Sequence, residues 1–281
     1  MQISVVIPSY NRRHTLERAL DSVYAQKSRV NEVILVDDGS SDGSAGMVMQ
    51  AYPQVKIIRQ PNLGVSAARN RGIDAASCDW IALLDSDDSW LPNKIAAIRA
   101  AHAEHPDYVL YHSDEIWMRR GTRVNPKNKH RKSGGWIFEQ CLPLCAISPS
   151  ASVIHKETLQ QHGMFDETLP ACEDYDLWLR LCQRYPVHYL DEALIVKYGG
   201  HEDQLSRRHP IMDRFRVRAL HRLLADGSLT EQQQTAANSM LLHKLQILLK
   251  GAQKHRNQKL IDELAPLRDR WQAATKSRFS C

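Results

Sequence analysis

The sequence predicts an α/β protein: a mostly parallel sheet with helices on both faces, followed by a helical C-terminal appendage. Three observations predict it. Short, continuous apolar runs recur along the first 112 residues, as strands buried on both faces require. Segments with apolar residues three and four apart separate them, the period of helices lying on a sheet. After residue 206 only the helical period remains.

The elements follow in order. ISVVIP, residues 3–8, is a buried strand that ends at a proline. Leu16, Ala19, Leu20, Val23 and Tyr24 then fall on one helical stripe. VILV at 33–36 is the second strand, and DDGSSDG at 37–43 is turn and helix-capping chemistry. Residues 55–58 make a third strand, 66–76 a helix and 80–84 a fourth strand. Pro92 suits the first turn of a helix that reaches about residue 103, and 108–111 is a further strand. The second half is less regular. Residues 126–135, basic and glycine-containing, read as a mobile loop. A helix is expected over 173–184 with Leu177, Trp178 and Leu181 on its apolar side, then strands over 188–190 and 194–198. In the tail, Met212, Phe215, Ala219 and Leu223 form one stripe and Leu241, Leu245, Leu248 and Leu249 another, which predicts two or three helices.

Bulk properties bound the function. A chain of 281 residues allows one large domain with an appendage. With 43% hydrophobic and 25% charged residues it has the composition of an ordinary globular protein. No window approaches the roughly 20 apolar residues of a membrane span. The start, MQISVVIPSYN, lacks the basic n-region of a signal peptide, so a cytoplasmic protein is expected. Cys78, Cys141, Cys145, Cys172, Cys182 and Cys281 form no CxxC and no zinc spacing, and read as reduced thiols. Charge is uneven: residues 206–281 carry +9 and the remainder −4. Such a tail suits an anionic membrane face or an acidic partner, or is simply a solvated helical surface. No recognition motif accompanies it, so nucleic acid is not an expected partner.

Candidate site residues collect at strand ends. In sheets of this kind ligands bind beyond the carboxyl ends of the strands. That rule brings together residues 8–11, Asp37-Asp38, and the cluster in IALLDSDDSW at 81–90. Asp85 and Asp87 after an apolar strand suit Mg²⁺ or Mn²⁺. Such an ion takes one or two protein carboxylates and completes its shell with phosphate oxygens and water. The implied substrate is a nucleoside di- or triphosphate, or its ester. Asp88 reads instead as a cap for the helix near Pro92. Asp174, taken alone, is an N-terminal helix residue favoured by the macrodipole.

These stretches resemble the family 2 glycosyltransferases, which have the Rossmann-like GT-A fold. The matching segments are VVIPSYNRRHTLERALDSV (5–23), EVILVDDGSSDGS (32–44), NLGVSAARNRGIDAASCDWIALLDSDDSWLP (62–92), FDETLPACEDYDLWLRL (165–181) and GGHEDQLS (199–206). They span roughly residues 1–206. The resemblance implies a glycosyltransferase domain over 1–206, with a nucleotide-sugar half at 1–112 and an acceptor half at 113–206, and a basic helical appendage at 207–281. It implies that Pro8, Tyr10 and Asn11 line the nucleotide base, that Asp38 hydrogen-bonds it, and that Asn70 belongs to the nucleotide-binding set. Asp85 and Asp87 match the DxD motif: Asp87 as metal ligand, Asp85 near ribose or metal. Asp174 matches the general base of an ED pair with Glu173. His201 stands between a metal or diphosphate contact and a loop hydrogen bond.

The chemistry is coherent in itself. A departing nucleoside diphosphate develops negative charge that a cation offsets. An acceptor hydroxyl needs a carboxylate to take its proton. Attack opposite the leaving group inverts the anomeric centre. The expected reaction is addition of a single sugar from a nucleotide-diphospho-sugar, UDP-linked, to a glycan or lipid-linked acceptor. Lack of a QxxRW motif argues against a processive synthase. Three other readings stand beside it. A non-catalytic nucleotide-sugar-binding relative would serve as an interaction module. A metal-dependent nucleotidyltransferase would leave Asp174 without a role. VILVDDGSSD also looks like the start of a response-regulator receiver, but no lysine follows at the end of a fifth strand.

Overall fold

The computed structural model describes residues 1–200, 209 and 211–278. Its framework is a nine-stranded sheet ordered β3-β2-β1-β4-β8-β6-β9-β5, with β7 paired to β6. The first half meets the parallel expectation. β1 (Ile3–Ser9) lies between β2 (Glu32–Asp37) and β4 (Trp80–Leu83), with β3 (Lys56–Arg59) outside β2, all parallel. The second half is mixed. β6 (Leu110–Arg119) and β9 (His188–Gly199) run parallel. β8 (Val153–His155), β5 (Ser89–Trp90) and β7 (Thr122–Val124) pair antiparallel to their neighbours.

The pleat sorts side chains to two faces. Ile3, Val5 and Ile7 of β1, with Val33 and Leu35 of β2, pack under α1 (Arg13–Tyr24), α2 (Ser44–Ala51) and α4 (Lys94–Glu104). Val6, Ile34 and Val36 face the other way, toward α3 (Val65–Ala75), α5 (Phe138–Cys141), α6 (Lys156–Gln161) and α7 (Glu173–Cys182). Gly72 shows how closely α3 sits on β1: a Cβ there would lie 2.4 Å from a methyl of Val6. The tail forms α8 (Asp213–Asp226), α9 (Glu231–Lys254) and α10 (Gln258–Arg278). Both expected stripes pack into the core: Ala219, Leu223, Leu241, Leu245, Leu248 and Leu249 are buried, and Met212 and Phe215 partly so. The tail's Val217, Leu220, Leu241, Leu245 and Trp271 join the same apolar cluster as α5 and α7. Gly227, left-handed at φ 74°, ends α8, and Thr230 with Gln233 caps α9 reciprocally.

Several expectations shift. The strand expected at 108–111 runs on to Arg119, because its continuation hides polar residues inside the protein: His112, Ser113 and Glu115 are buried. The two strands expected between 188 and 198 are one, with an irregularity where it passes Ser113–Glu115 of β6. The loop at 126–135 is pinned near its end: Lys132 reaches Glu115 at 3.3 Å, and Gly135 bridges Val187. Among the described residues no helix is long and apolar enough to cross a membrane.

Candidate active site

The end of β1 carries the chain into residues 8–12. Asn11 sits there at φ 53°, a left-handed conformation that asparagine tolerates. Its backbone N–H donates to Ser40 Oγ at 2.9 Å, and its side-chain oxygen accepts from the Ser41 N–H at 2.9 Å. Asn11 therefore clamps the loop after β1 to the loop after β2 and is itself turned away from the cleft those loops enclose. Asp42 adds a second clamp by accepting from the Arg13 N–H at the start of α1, a helix cap supplied from another loop.

The cleft has a volume near 470 Å³. Pro8, Ser9, Tyr10 and Arg12 form one wall, Asp38, Asn62 and Gly64 a second, and Asp85, Ser86, Asp87 and Asp88 a third. Glu173, Asp174, Lys197 and Tyr198 close it. It lies where β2 and β4 diverge on either side of β1, the switch point at which such sheets bind ligands. Tyr10 keeps its ring half exposed there, a surface on which a planar base can stack. Asp38 is buried and accepts three bonds: from the Gln60 amide (2.7 Å), the Leu63 N–H (2.9 Å) and the Gly64 N–H (2.9 Å). It shapes the 60–64 loop as well as lining the site. Gly39 permits this shape, since a Cβ there would lie 2.9 Å from the Asn62 nitrogen.

Beyond β4 the acidic cluster divides by role. Asp85 Oδ1 accepts from Arg69 at 2.7 Å. Asp87 lines the cleft, and its backbone carbonyl is held by Arg18 at 2.6 Å. Asp88 is not the expected helix cap. It is buried, accepting from Ser150 Oγ at 2.6 Å and from the Tyr198 N–H at 3.0 Å, and so bolts β9 to the turn before β8. Burial, reinforced by Asp87 and Asp85, pushes its carboxyl well above the usual range, against the pull of Lys197.

The ED pair also divides. Glu173 is buried and accepts from Arg69 at 2.6 Å. Burial pushes its carboxyl up, and the guanidinium opposes that push. Asp174 faces the cleft, accepting from the Tyr175 N–H at 2.7 Å and from the Cys145 thiol at 3.0 Å. Burial and the adjacent Asp174 hold that thiol protonated, so it remains a donor. Asp176 points elsewhere: it pairs with Arg180 at 2.9 Å and lines a different hollow. Of the three carboxylates at the start of α7, Glu173 is paired with Arg69 and Asp176 with Arg180, while Asp174 lines the cleft without an arginine partner among the described residues.

Arg69 is the residue that sequence reasoning passed over. It is 3% exposed and joins Asp85 of one half to Glu173 of the other. Lys197 was passed over as well. Burial would depress its ammonium, but Glu115, Asp88, Cys145 and Asp85 outweigh that and hold it above the ordinary lysine value. Lys197 donates to Ser148 at 3.0 Å. The segment 145–150, CAISPS, thus touches three charged groups at the cleft: Cys145 the Asp174 carboxylate, Ser148 the Lys197 ammonium and Ser150 the buried Asp88.

Asn11 and Asn70, both expected at the nucleotide, do not line the cleft. Asn70 bonds both backbone groups of Phe165 and the Glu167 carboxylate, and lines the other hollow. It buttresses the turn before α7. His201 lies outside the described residues. Among the described residues no group of three or more histidine, cysteine or acidic side chains is arranged as a metal cage. Asp85 and Asp87 facing one cleft fit the alternative: a divalent ion carried in on a diphosphate and held by one or two carboxylates.

Comparison with known proteins agrees with this geometry. The family described as Glycosyl transferase family 2 matches residues 4–162. An uncharacterized glycosyltransferase of Rickettsia felis is 28% identical over 218 residues, covering 73% of this chain and 35% of its own. The uncharacterized glycosyltransferase YibD of Escherichia coli is 37% identical over 128 residues, 42% of this chain and 37% of its own. The chain spans about a third of the length of the first of these relatives. Among solved structures, S. aureus TarS 1-349 in complex with UDP-GlcNAc superimposes with a TM-score of 0.71 at 17% identity, covering 89% of this chain and 73% of that one. The same TarS fragment with UDP gives 0.68 at 19% identity, with coverages of 89% and 72%. At these identities the structural likeness establishes the GT-A-type fold.

Proposed function

The chain belongs to glycosyl transferase family 2, and from that premise we propose that it is an inverting enzyme. It moves one hexosyl unit from a nucleotide-diphospho-sugar to a hydroxyl of a glycan or lipid-linked acceptor, in polysaccharide or glycoconjugate assembly. One observation carries the reading: the DxD carboxylates and Asp174 line a single cleft, and Arg69 ties Asp85 to the neighbour of Asp174. The TarS complexes with UDP and UDP-GlcNAc support a UDP-sugar as donor.

In this reading Tyr10 and Pro8 pack on the base, and Asp38 with its 60–64 loop meets the base edge. Asp87 and Asp85 hold Mn²⁺ or Mg²⁺ with the diphosphate. When bound, that ion supplies Lewis-acid stabilisation of the leaving group. Lys197 adds a second positive charge on the same side. Asp174 takes the acceptor proton as the new bond forms, a contribution of about 10²–10⁴ in rate. The Cys145 thiol and the Tyr175 N–H fix its orientation. The turn between α9 and α10 exposes Lys250, Lys254, Arg256 and Lys259 with no acid among them, which suits peripheral contact with an anionic, cytoplasmic membrane face.

The test is a thermal-shift series with UDP, GDP, CDP and dTDP, each with and without Mn²⁺. A ligand that binds only the folded state adds about 2.7 kcal/mol at a hundredfold excess over its Kd. UDP with Mn²⁺ is expected to raise the midpoint, and Asp87→Asn to abolish the metal-dependent part. A response to none of the four would contradict the reading. Release of inorganic diphosphate from a nucleoside triphosphate would replace it with nucleotidyl transfer.

A further inference from the structure

Between Ile116 and Phe138 the chain carries seven lysines and arginines and no aspartate or glutamate. The stretch comprises the end of β6, the β6–β7 hairpin and the loop before α5. Arg119, Arg120, Arg123, Lys127, Lys129 and Arg131 are all exposed. None of the six forms a salt bridge among the described residues. The seventh, Lys132, turns inward to Glu115 and fastens the strip to the sheet.

The strip is continuous with the cleft. β6 and β9 are parallel neighbours in the register Lys197↔Trp117, Tyr198↔Met118 and Gly199↔Arg119. Lys197 and Tyr198 line the cleft, so its wall passes to the first arginine of the strip across one strand spacing, about 4.8 Å. Asp174 meets this wall through Cys145, which donates to it and feels the charge of Lys197. Exposed like charges repel one another, and their field concentrates a ligand of opposite sign. A neutral glycan would call for open aromatic faces, which the strip does not offer. Trp117 is occupied by Glu115 through its indole N–H at 2.6 Å and by the His130 ring at 5.0 Å. The exposed Trp136 lies at the opposite end, beside the bridge that precedes β9.

We propose that this basic hairpin and loop dock the acceptor, and that the acceptor is a glycan bearing repeated negative charges, phosphodiester or carboxylate. The proposal rests on the glycosyltransferase reading. Arginine forks suit both anions through paired N–H donors.

The test measures binding to the full chain by fluorescence anisotropy. The probes are a glycerol-phosphate oligomer, an oligogalacturonate and a maltooligosaccharide of matched length, with phosphatidylglycerol-containing vesicles as a fourth arm. At least one anionic oligomer is expected to bind, more weakly as salt rises, and the maltooligosaccharide is not. Combining Arg123→Glu, Lys127→Glu, Lys129→Glu and Arg131→Glu is expected to lower that affinity by roughly tenfold or more. Lys250→Glu, Lys254→Glu and Lys259→Glu together, around the α9–α10 turn, are expected to leave it intact. Equal binding of neutral and anionic oligomers, an unaffected hairpin variant, an equal loss in the α9–α10 variant, or a hairpin effect on vesicles alone would each overturn the proposal. The UDP thermal shift is read on the same samples. Its absence in the unaltered protein would contradict the donor reading, while the oligomer binding speaks to the strip alone; its presence in the hairpin variant shows that the variant is folded.

Discussion

The two halves of the sheet are held together by different physics. β1 to β4 bury side chains such as Val5, Val6, Ile34, Leu35 and Leu83, and the cleft walls they supply hang from an apolar lattice. β6, β8 and β9 enclose a chain of charges instead: Lys132 to Glu115, Glu115 beside Lys197, and Lys197 beside Asp88. In the proposed reading the first half binds the nucleotide donor and needs only a firm edge. The second would hold the base, a lysine and the acceptor in fixed relation, and buried polar contacts give that at the risk of leaving a charge unpaired.

The largest expected effect comes from the residue joining the halves. Arg69→Met leaves Glu173 buried without its partner and is expected to lower stability by about 3–5 kcal/mol, read from urea unfolding. A loss below about 1 kcal/mol would mean that the halves are held together without this bridge. Lys197→Met comes next. It removes the charge that Glu115 and Asp88 face, and is expected to cost about 2–3 kcal/mol while Glu115 keeps Lys132.

Acid should distinguish the halves as well. Burial depresses His112 in β6 from 6.5 to about 3. Below pH 6.5 the unfolded chain takes up a proton there and the folded chain does not, so stability falls as pH drops across that window. The expected slope from this group is about 1 kcal/mol per pH unit. Glu115, which burial would raise but Lys132 and Lys197 hold down at about 2, adds to the loss below its ordinary value of 4.5. Unfolding midpoints measured from pH 7 to 4 should flatten in His112→Gln; an unchanged slope would place the acid sensitivity elsewhere. The smallest effect belongs to the apolar half. Ile34→Val is expected to cost about 1 kcal/mol at every pH, and a pH-dependent cost would break the contrast.

The same contrast explains what the sequence disclosed. Continuous branched apolar runs made β1, β2 and β4 legible, and the acids at their ends marked the cleft. β6 was half hidden because LYHSDEIWMR buries its polar residues, and polarity reads as exposure when partners are unknown. β5 and β8, two and three residues long, carry no periodicity to detect. Arg69 and Asn70 stand side by side in AARNRG, yet one joins Asp85 to Glu173 and the other braces residues 165–167. Only contacts 16 to 104 positions away in the chain separate their roles. CAISPS gave no signal at all, since small residues become functional through what they hold.

The central claim is that Asp174 is the base of a sugar-transfer reaction in a cleft that binds a nucleoside diphosphate. The most direct measurement is release of UDP from a UDP-sugar in the presence of acceptor, by the unaltered chain and by Asp174→Asn, with UDP binding followed in parallel. The account predicts that Asp174→Asn binds UDP with Mn²⁺ as the unaltered chain does and turns over about 10²–10⁴ times more slowly. Turnover at the unaltered rate by a variant that still binds UDP would contradict it.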